Sequence, residues 1–276
     1  FSNSPLISIN FSDSSALRYI GDYAFSLAQL PHLDLSGAPN LTYIGYRAFQ
    51  SSPLQSLVLP ASLQHIGSEA FHSNSLSHLD LSHLSSLKFI GDRAFSIAAF
   101  QVRNLETIHF PDQCAITYIG FGAFQTAGLS HLDLSGCKNL SYISNYAFAS
   151  SPLQTLQFDN PALSYIGISA FSQGTMQNLD LSKIPNVVNI GDGAFYSSVP
   201  VFLDFSQNAN LQLIGSAAFY NATLSNVDLS NSPQLKYLGA RAFKSSTLYE
   251  IWISPEANFT VTRLMNSDPS TELYTG

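Results

Sequence analysis

Charged side chains are scarce in this 276-residue chain, at 11% of residues, where a globular protein averages about a quarter. The 11 Lys and Arg are outnumbered by 18 Asp and Glu, which gives a formal net charge of -7. Because binding to a phosphate backbone needs clustered cations, this balance argues against nucleic acid as a partner. The hydrophobic content of 45% excludes a disordered chain. The surface must therefore be built mainly from uncharged polar residues.

Long hydrophobic runs and cysteines are also in short supply. No stretch approaches the roughly 20 apolar residues that span a bilayer, so we expect no membrane insertion of this segment. Two cysteines are far too few for a disulfide scaffold. Cys114 and Cys137 fall at nearly the same place in successive repeats, offset by one residue. A bridge between stacked repeats and a pair of buried free thiols are both open, and the offset favours the thiols.

What the sequence does contain is a repeat of about two dozen residues. An Ala-Phe pair recurs ten times, and in most units an Ile-Gly pair stands before it at a fixed distance. The Ala-Phe pairs are Ala24-Phe25, Ala48-Phe49, Ala70-Phe71, Ala94-Phe95, Ala123-Phe124, Ala147-Phe148, Ala170-Phe171, Ala194-Phe195, Ala218-Phe219 and Ala242-Phe243. One unit cannot cover its own apolar face, so such units must stack.

Between the Phe of one unit and the Ile of the next lies an alternating segment, as in Leu33-Asp34-Leu35. Alternation at period two predicts a strand with one buried face, so both leucines point into the core and Asp34 points out. Stacked units then form a parallel sheet in which equivalent positions line up in rows. Gly in the Ile-Gly pair lets the backbone take a turn that a side chain would obstruct.

The combined pattern, L-x-x-L-x-L followed by L-x-x-I-G-x-x-A-F, resembles the BspA-like class of leucine-rich repeats over residues 1 to about 254. The resemblance implies a leucine-rich-repeat solenoid, a curved superhelix with one parallel-sheet strand per repeat of ~24 residues. Short irregular, 3-10 or strand segments would form its convex side. Members of this class are mostly surface or secreted microbial proteins that bind proteins or host matrix. This chain lacks the Cys often found after Ala-Phe, and it often has Ser where Pro ends the strand.

Three irregularities set the expected domain limits. Residues 96–103 form an insertion at a repeat junction, which we interpret as neutral rather than as a binding loop. The start at Phe1 matches the middle of a later unit, so we expect the array to begin in mid-repeat. The motif fails after Ile253. We therefore predict a repeat array of about ten units over residues 1–257 and a degenerate C-terminal cap or tail over 258–276.

The candidate binding surface is the outward row of the alternating strands, on the expected concave face. Its members are His32, Asp34, His78, Asp80, His131, Asp133, Asp180, Phe202, Asp204, Asp228 and Trp252. His, Asp and Ser stand about 6.6 Å apart along a strand, whereas a hydrolase triad needs successive contacts, so we expect no enzyme activity. His-x-Asp could hold zinc or copper, but Val58 and His109 interrupt the row, and we expect neither metal nor cofactor.

One column of carboxylates carries the sharpest functional hypothesis. Asp180, Asp204 and Asp228 occupy the same outward position in three successive units, where facing like charges are destabilising. Either solvent screens the column, or the column serves a cationic partner. A flat row of single oxygens is a poor calcium cage, so a basic protein surface is favoured over the ion. Phe202 and Trp252 would supply apolar anchors.

These observations predict a non-catalytic module that binds a protein or matrix partner, with a cell-surface or secreted location implied by the resemblance. Two alternatives stay open. One is a structural spacer that carries a domain outside this segment. The other is an intracellular effector with the same fold, which free thiols at Cys114 and Cys137 would favour.

A second row stands directly before the repeated Ile, and most of its members are aromatic. They are Tyr19, Tyr43, His65, Phe89, Tyr118, Tyr142, Tyr165 and Tyr237. Stacked rings one strand apart stabilise a ladder by packing on each other. We interpret the row as structural, in preference to a glycan-stacking or adhesive surface.

Overall fold

The computed structural model describes residues 1–97, 104–244 and 248–257, together with two short strands near the C-terminus at 260–261 and 272–275. The inserted segment predicted at 96–103 therefore lies largely outside the described residues. The strands, numbered in chain order, are β1 Tyr19–Ile20, β2 His32–Asp34, β3 Tyr43–Ile44, β4 Ser56–Val58, β5 His65–Ile66, β6 His78–Asp80, β7 Phe89–Ile90, β8 Thr107–His109, β9 Tyr118–Ile119, β10 His131–Asp133, β11 Tyr142–Ile143, β12 Thr155–Gln157, β13 Tyr165–Ile166, β14 Asn178–Leu179, β15 Asn189–Ile190, β16 Phe202–Leu203, β17 Leu213–Ile214, β18 Asn226–Leu229, β19 Tyr237–Leu238, β20 Glu250–Ile253, β21 Thr260–Val261 and β22 Glu272–Thr275. A single-turn 3-10 helix covers Leu181–Lys183.

Each repeat contributes two strands, and the stack of repeats forms a parallel β-solenoid. The odd-numbered strands join into one continuous sheet of eleven described strands, with Tyr19 opposite Tyr43 and Ile20 opposite Ile44 as the first register pair. The solenoid expected from the leucine-rich pattern is therefore confirmed. The continuous ladder, however, runs through the short Tyr-Ile segments rather than through the leucine strands.

The leucine strands, which carry even numbers, pair in a different way. They form separate two-stranded ladders, β2 with β4, β6 with β8, β10 with β12 and β14 with β16, while β18, β20 and β22 form a three-stranded one. From β2 to β16, a structural unit on this side therefore consists of two repeats. Breaks in the hydrogen-bonded ladder separate one unit from the next.

The core is a column of phenylalanine rings that runs the length of the solenoid. The rings of the ten Ala-Phe pairs stack with centroids 5.1 to 5.4 Å apart and planes within 9° of parallel. Leucines and isoleucines of both strand types pack around this column, most of them fully buried. Each fully buried side chain of this size contributes about 1.5 to 3 kcal/mol to folding stability. Because such side chains recur in every repeat, the stabilisation from burial is spread along the whole stack.

The turn after each Tyr-Ile strand explains why glycine follows isoleucine. A Cβ on Gly67 would lie 2.7 to 2.8 Å from backbone atoms of Gly45 and Ile44 in the preceding turn. Gly21, in the first turn, has nothing within 4 Å of the same position. The glycine is therefore needed because neighbouring backbones approach closely, and Ser144 shows that a single turn can adjust to a Cβ.

The third residue after each Ile adopts left-handed backbone geometry, although it is usually not glycine. In all ten described turns φ at this position lies between 52° and 60°, at Tyr23, Arg47, Glu69, Arg93, Gly122, Tyr146, Ser169, Gly193, Ala217 and Arg241. The conformation lets the turn hydrogen-bond to the next one, as where the Ala217 amide donates to the Ala240 carbonyl at 2.9 Å. Stacking thus imposes a geometry that L-residues otherwise avoid.

Cys114 and Cys137 form a disulfide that joins two successive turns, with their Cα atoms 4.4 Å apart. The expectation of two free thiols is therefore wrong. The one-residue offset does not prevent the bridge. The spacing from the leucine strand to the following Ile is the same in both repeats, and the segment around Cys114 accommodates the difference in cysteine position. Asn160 holds the position equivalent to Cys137 in the following turn. It is buried, and its Nδ2 donates to the Cys137 and Leu134 carbonyls at 2.7 and 2.8 Å.

Candidate recognition surface

The candidate binding residues all lie on the outward face of the even-numbered strands, hereafter the leucine-strand face. The buried residues of the same strands, such as Leu33 and Leu132, hold them in place from below. Ten of the eleven side chains are exposed, and Asp204 is half-buried. The outward orientation predicted for them is therefore the orientation they have, while their role in binding stays a prediction.

The three histidines each bond to the neighbouring strand rather than to the aspartate two residues ahead. Nδ1 of His32 lies 2.8 Å from Oγ of Ser56, and Nδ1 of His78 lies 2.7 Å from Oγ1 of Thr107. His131 repeats the contact with Thr155 at 2.8 Å. Each pair joins the two strands of one ladder, so these contacts stabilise the two-repeat unit.

Every aspartate of the row closes a turn at the end of its strand. Oδ1 of Asp34 accepts from the Ser36 amide at 2.8 Å, and the same bond recurs in the other five D-L-S or D-F-S segments. Hydrogen bonds from Ser36 lower the pKa of Asp34, and bonds from Ser82 lower the pKa of Asp80. The carboxylates of Asp34 and Asp80 are therefore ionised at neutral pH. All six aspartates are fixed in direction, with one oxygen occupied by the turn.

The C-terminal half of the face brings several predicted residues together. Phe202, Asp204 and Asp228 line one concavity of about 200 Å³, together with Asn226 and Asn231. Trp252 lies opposite Asp228 in the β18–β20 register. Asp180 and Asp204 directly follow the paired strands β14 and β16. The result is an acidic patch with two exposed rings beside it. His32, His78 and His131, by contrast, stand two turns apart from one another.

Metal and catalytic arrangements can be judged from the same geometry. Within the part of the chain that the structure describes, no three His, Cys, Asp or Glu side chains cluster closely enough to hold a metal ion. The His-Ser and His-Thr pairs include no carboxylate partner for the imidazole in the hydrogen bonds of the described residues. A metal could therefore be held here only with ligands from elsewhere.

The aromatic row forms a stacked ladder on the opposite, continuous sheet. From Tyr43 to Tyr165 neighbouring ring centroids lie 4.3 to 5.4 Å apart, with His65 and Phe89 inside the stack. Burial lowers the pKa of His65, and burial with Tyr165 beside it raises the pKa of Tyr142 to about 12. Tyr237 is separated from the ladder because Asn189 and Leu213 hold the two positions between. These contacts support the structural interpretation of this row.

Two features of the face were missed in the sequence, although signals for both were present. In the D-L-S triplet the aspartate side chain hydrogen-bonds the backbone two residues later and closes the turn. This role explains the repeated carboxylates without invoking a ligand. The alternation of H-x-D strands with strands beginning in Ser or Thr marks the two-repeat unit. Both signals repeat too regularly to indicate a single unique site.

Comparison with known proteins agrees with this architecture. The family model described as BspA type leucine-rich repeat region matches in six copies, over residues 1–98, 96–208 and 176–266. The functional domain of InlJ from Listeria monocytogenes, whose description includes a cysteine ladder, is similar in fold, with a TM-score of 0.53 at 17% identity. That match covers 98% of this chain and 55% of the Listeria chain, so this chain spans about half of the latter's length.

A leucine-rich repeat protein from Bacteroides ovatus also matches, with 20% identity, a TM-score of 0.47, and coverage of 95% of this chain and 82% of that one. No curated protein sequence matches this chain. The described residues include no helix long and apolar enough to cross a membrane. Because the repeat model accounts for nearly the whole sequence, this chain is a member of the BspA type leucine-rich repeat family.

Proposed function

We propose that this chain is a non-catalytic module for protein binding or adhesion, which presents its leucine-strand face to a macromolecular partner. The observation that carries the proposal is the exposure of two large rings on that face, 62% for Phe202 and 51% for Trp252. Exposed aromatic side chains beside polar groups are typical of binding hot spots. The rigid stack beneath holds them in place, which reduces the ordering cost of binding.

The charge of the patch favours a basic partner. Oδ1 of Asp180, Asp204 and Asp228 is held by the turn, and no donor among the described residues occupies Oδ2. Three fixed carboxylates in one column create a negative potential that steers a cationic surface and fixes its orientation. A Lys- or Arg-rich protein surface would meet the carboxylates and cover the rings at the same time.

A surface or secreted location fits the covalent chemistry of the chain. A disulfide between Cys114 and Cys137 persists in oxidising compartments and is rare where thiols are kept reduced. The intracellular-effector alternative rested on free thiols at these positions, so it loses its support. The occurrence of this repeat class in microbial surface proteins also supports a surface or secreted location.

The rings can be tested by a double variant, Phe202→Ser with Trp252→Ser, against Tyr19→Ser, which removes an equally exposed ring from the other sheet. Purified basic, acidic and matrix proteins are immobilised, and binding of the two variants and the unchanged chain is measured by surface plasmon resonance. We expect the double variant to lose binding at least tenfold, as for hot-spot residues, and Tyr19→Ser to retain it. If no immobilised protein binds the unchanged chain, or if the double variant binds as well, the spacer alternative replaces the proposal.

A further inference from the structure

A cavity on the leucine-strand face lies where two structural units meet, between β12 and β14. Its volume is about 650 Å³, and its lining residues are Gln154, Thr155, Leu156, Gln157, Thr175, Gln177, Asn178 and Val199. The last backbone hydrogen bond before the gap runs from the Thr175 amide to the Leu153 carbonyl. Beyond it, β12 and β14 belong to different ladders, so no ladder hydrogen bonds join them along the cavity. We refer to this space as the amide cavity.

The chemistry of the amide cavity is uniform and uncharged. Four carboxamides line it, from Gln154, Gln157, Gln177 and Asn178, and no ionisable side chain does. None of the four carboxamides takes part in a side-chain hydrogen bond with the described residues. Each therefore keeps one acceptor oxygen and two N–H donors available to a ligand. A cavity with several convergent polar groups, in the size range of about 300 to 1,000 Å³, is typical of small-molecule sites.

We infer that the amide cavity is a binding site for a neutral saccharide. Sugar hydroxyls both donate and accept, so adjacent hydroxyls match the paired donor and acceptor of a carboxamide. Leu156 and Val199 supply a small apolar surface for the C–H face of a sugar ring. A charged sugar would lose hydration and find no counter-charge among the lining residues, which disfavours it.

The dimensions of the cavity favour a saccharide over an extended peptide. The lining residues come from β12, β14 and the segments before them, with Val199 from the segment before β16, so the site is about two strand spacings wide. A peptide of five residues in extended form would need roughly 17 Å, and Phe202 projects from the next strand beyond β14. A mono- or disaccharide, being compact, is the ligand that this space accommodates. The inference is independent of the proposed protein-binding role, because it uses other residues and another ligand.

The test uses the full chain and four neutral disaccharides as probes: maltose, cellobiose, lactose and N,N'-diacetylchitobiose. Side-chain amide resonances are followed by nuclear magnetic resonance at up to roughly 10 mM sugar, which is enough to detect a millimolar dissociation constant. We expect at least one disaccharide to shift the resonances of Gln157 and Gln177. If none does, the inference is overturned.

Matched variants show whether a shift arises in the cavity. Gln154 and Gln55 stand at the same place in two repeats, in Ser-Pro-Leu-Gln segments, and both are exposed. The backbone amides of Gln55 and Gln154 also donate at 2.8 Å to the carbonyls of Pro31 and Ser130, which directly precede β2 and β10. Gln157→Leu combined with Gln177→Leu should weaken binding about tenfold or more through the loss of two or more hydrogen bonds, as should Gln154→Leu to a smaller extent. Gln55→Leu should bind like the unchanged chain.

Two further probes separate the alternatives. Acetyl-tetraalanine-amide offers main-chain donors and acceptors without hydroxyls, and a glucuronic-acid-containing disaccharide offers hydroxyls with a charge. Stronger binding of the peptide would assign the cavity to a peptide and overturn the saccharide inference. Binding of the acidic sugar as strong as that of the neutral ones would contradict selection by an uncharged lining. Asp180→Asn with Asp228→Asn should leave saccharide binding unchanged, which separates this test from that of the protein-binding patch.

Discussion

Two adjacent alanines in the ninth turn should respond in opposite directions to replacement by glycine. Ala217 has φ of 54°, in the left-handed region, whereas Ala218 is fully buried against the core. A left-handed conformation costs an L-residue about 1 to 2 kcal/mol. Glycine removes that cost and adds about 0.5 to 1 kcal/mol of backbone entropy on folding. Ala217→Gly should therefore stabilise the protein by about 0.5 to 1 kcal/mol.

Ala218→Gly has no strain to relieve. It loses one buried carbon, worth about 0.8 kcal/mol, and incurs the same entropy cost, so a loss of about 1.3 to 1.8 kcal/mol is expected. Urea denaturation followed by circular dichroism measures both changes, with equal m-values required for the comparison because repeat arrays can unfold in parts. Gly122 and Gly193, which hold this position in two turns, show that glycine fits. Destabilisation by both variants would refute the account of the left-handed turn.

Other predictions follow from the stack. Gly167→Val should lower the melting temperature far more than Ser36→Val, since a Cβ on Gly167 would lie within 3 Å of the preceding backbone; equal melting temperatures would refute the register. Replacing Cys114 and Cys137 by Ser should cost about 3 kcal/mol, and reductant should destabilise only the unchanged chain. Burial lowers the pKa of His65 from 6.5, so the unfolded chain binds the proton more readily and stability falls as the pH drops below that value. The melting temperature of His65→Phe should therefore depend less on pH than that of the unchanged chain. An equal pH dependence in both proteins would contradict this.

The sequence was sufficient to predict the core and the stacking. Ala-Phe and Ile-Gly recur at fixed spacing, so in-register stacking brings identical side chains together, as in the Phe25–Phe49 contact. The outward direction of Asp34 and its equivalents follows from the alternation of the strand. These features are local in origin, because each depends only on the period of the pattern and on the need to bury one face.

What the sequence could not predict arises between turns. The left-handed backbone at Ala217 is imposed by hydrogen bonds to the next turn, and alanine gives no local signal for it. The bond between Cys114 and Cys137 depends on how one segment absorbs a one-residue offset. The amide cavity depends on a break in the ladder after β12, where local sequence still reads as a regular strand.

We propose that the acidic patch of the leucine-strand face recognises a macromolecular partner, and a triple variant that removes its charges provides the test. Asp180→Asn, Asp204→Asn and Asp228→Asn together keep Oδ1 as the turn acceptor while removing three charges. Asp22→Asn, Asp92→Asn and Asp192→Asn together serve as the control. Oδ1 of each of these residues accepts a backbone amide in the turns after the odd-numbered strands, so the chemical change is the same outside the candidate surface.

Binding to an immobilised basic protein is measured for both triple variants and the unchanged chain as salt is raised from about 50 to 500 mM, a range over which screening of exposed charges increases strongly. We expect the 180/204/228 variant to lose most of its affinity and most of its salt dependence, while the control keeps both. Unchanged affinity and an unchanged salt dependence in the 180/204/228 variant would show that the acidic patch has no role in recognition.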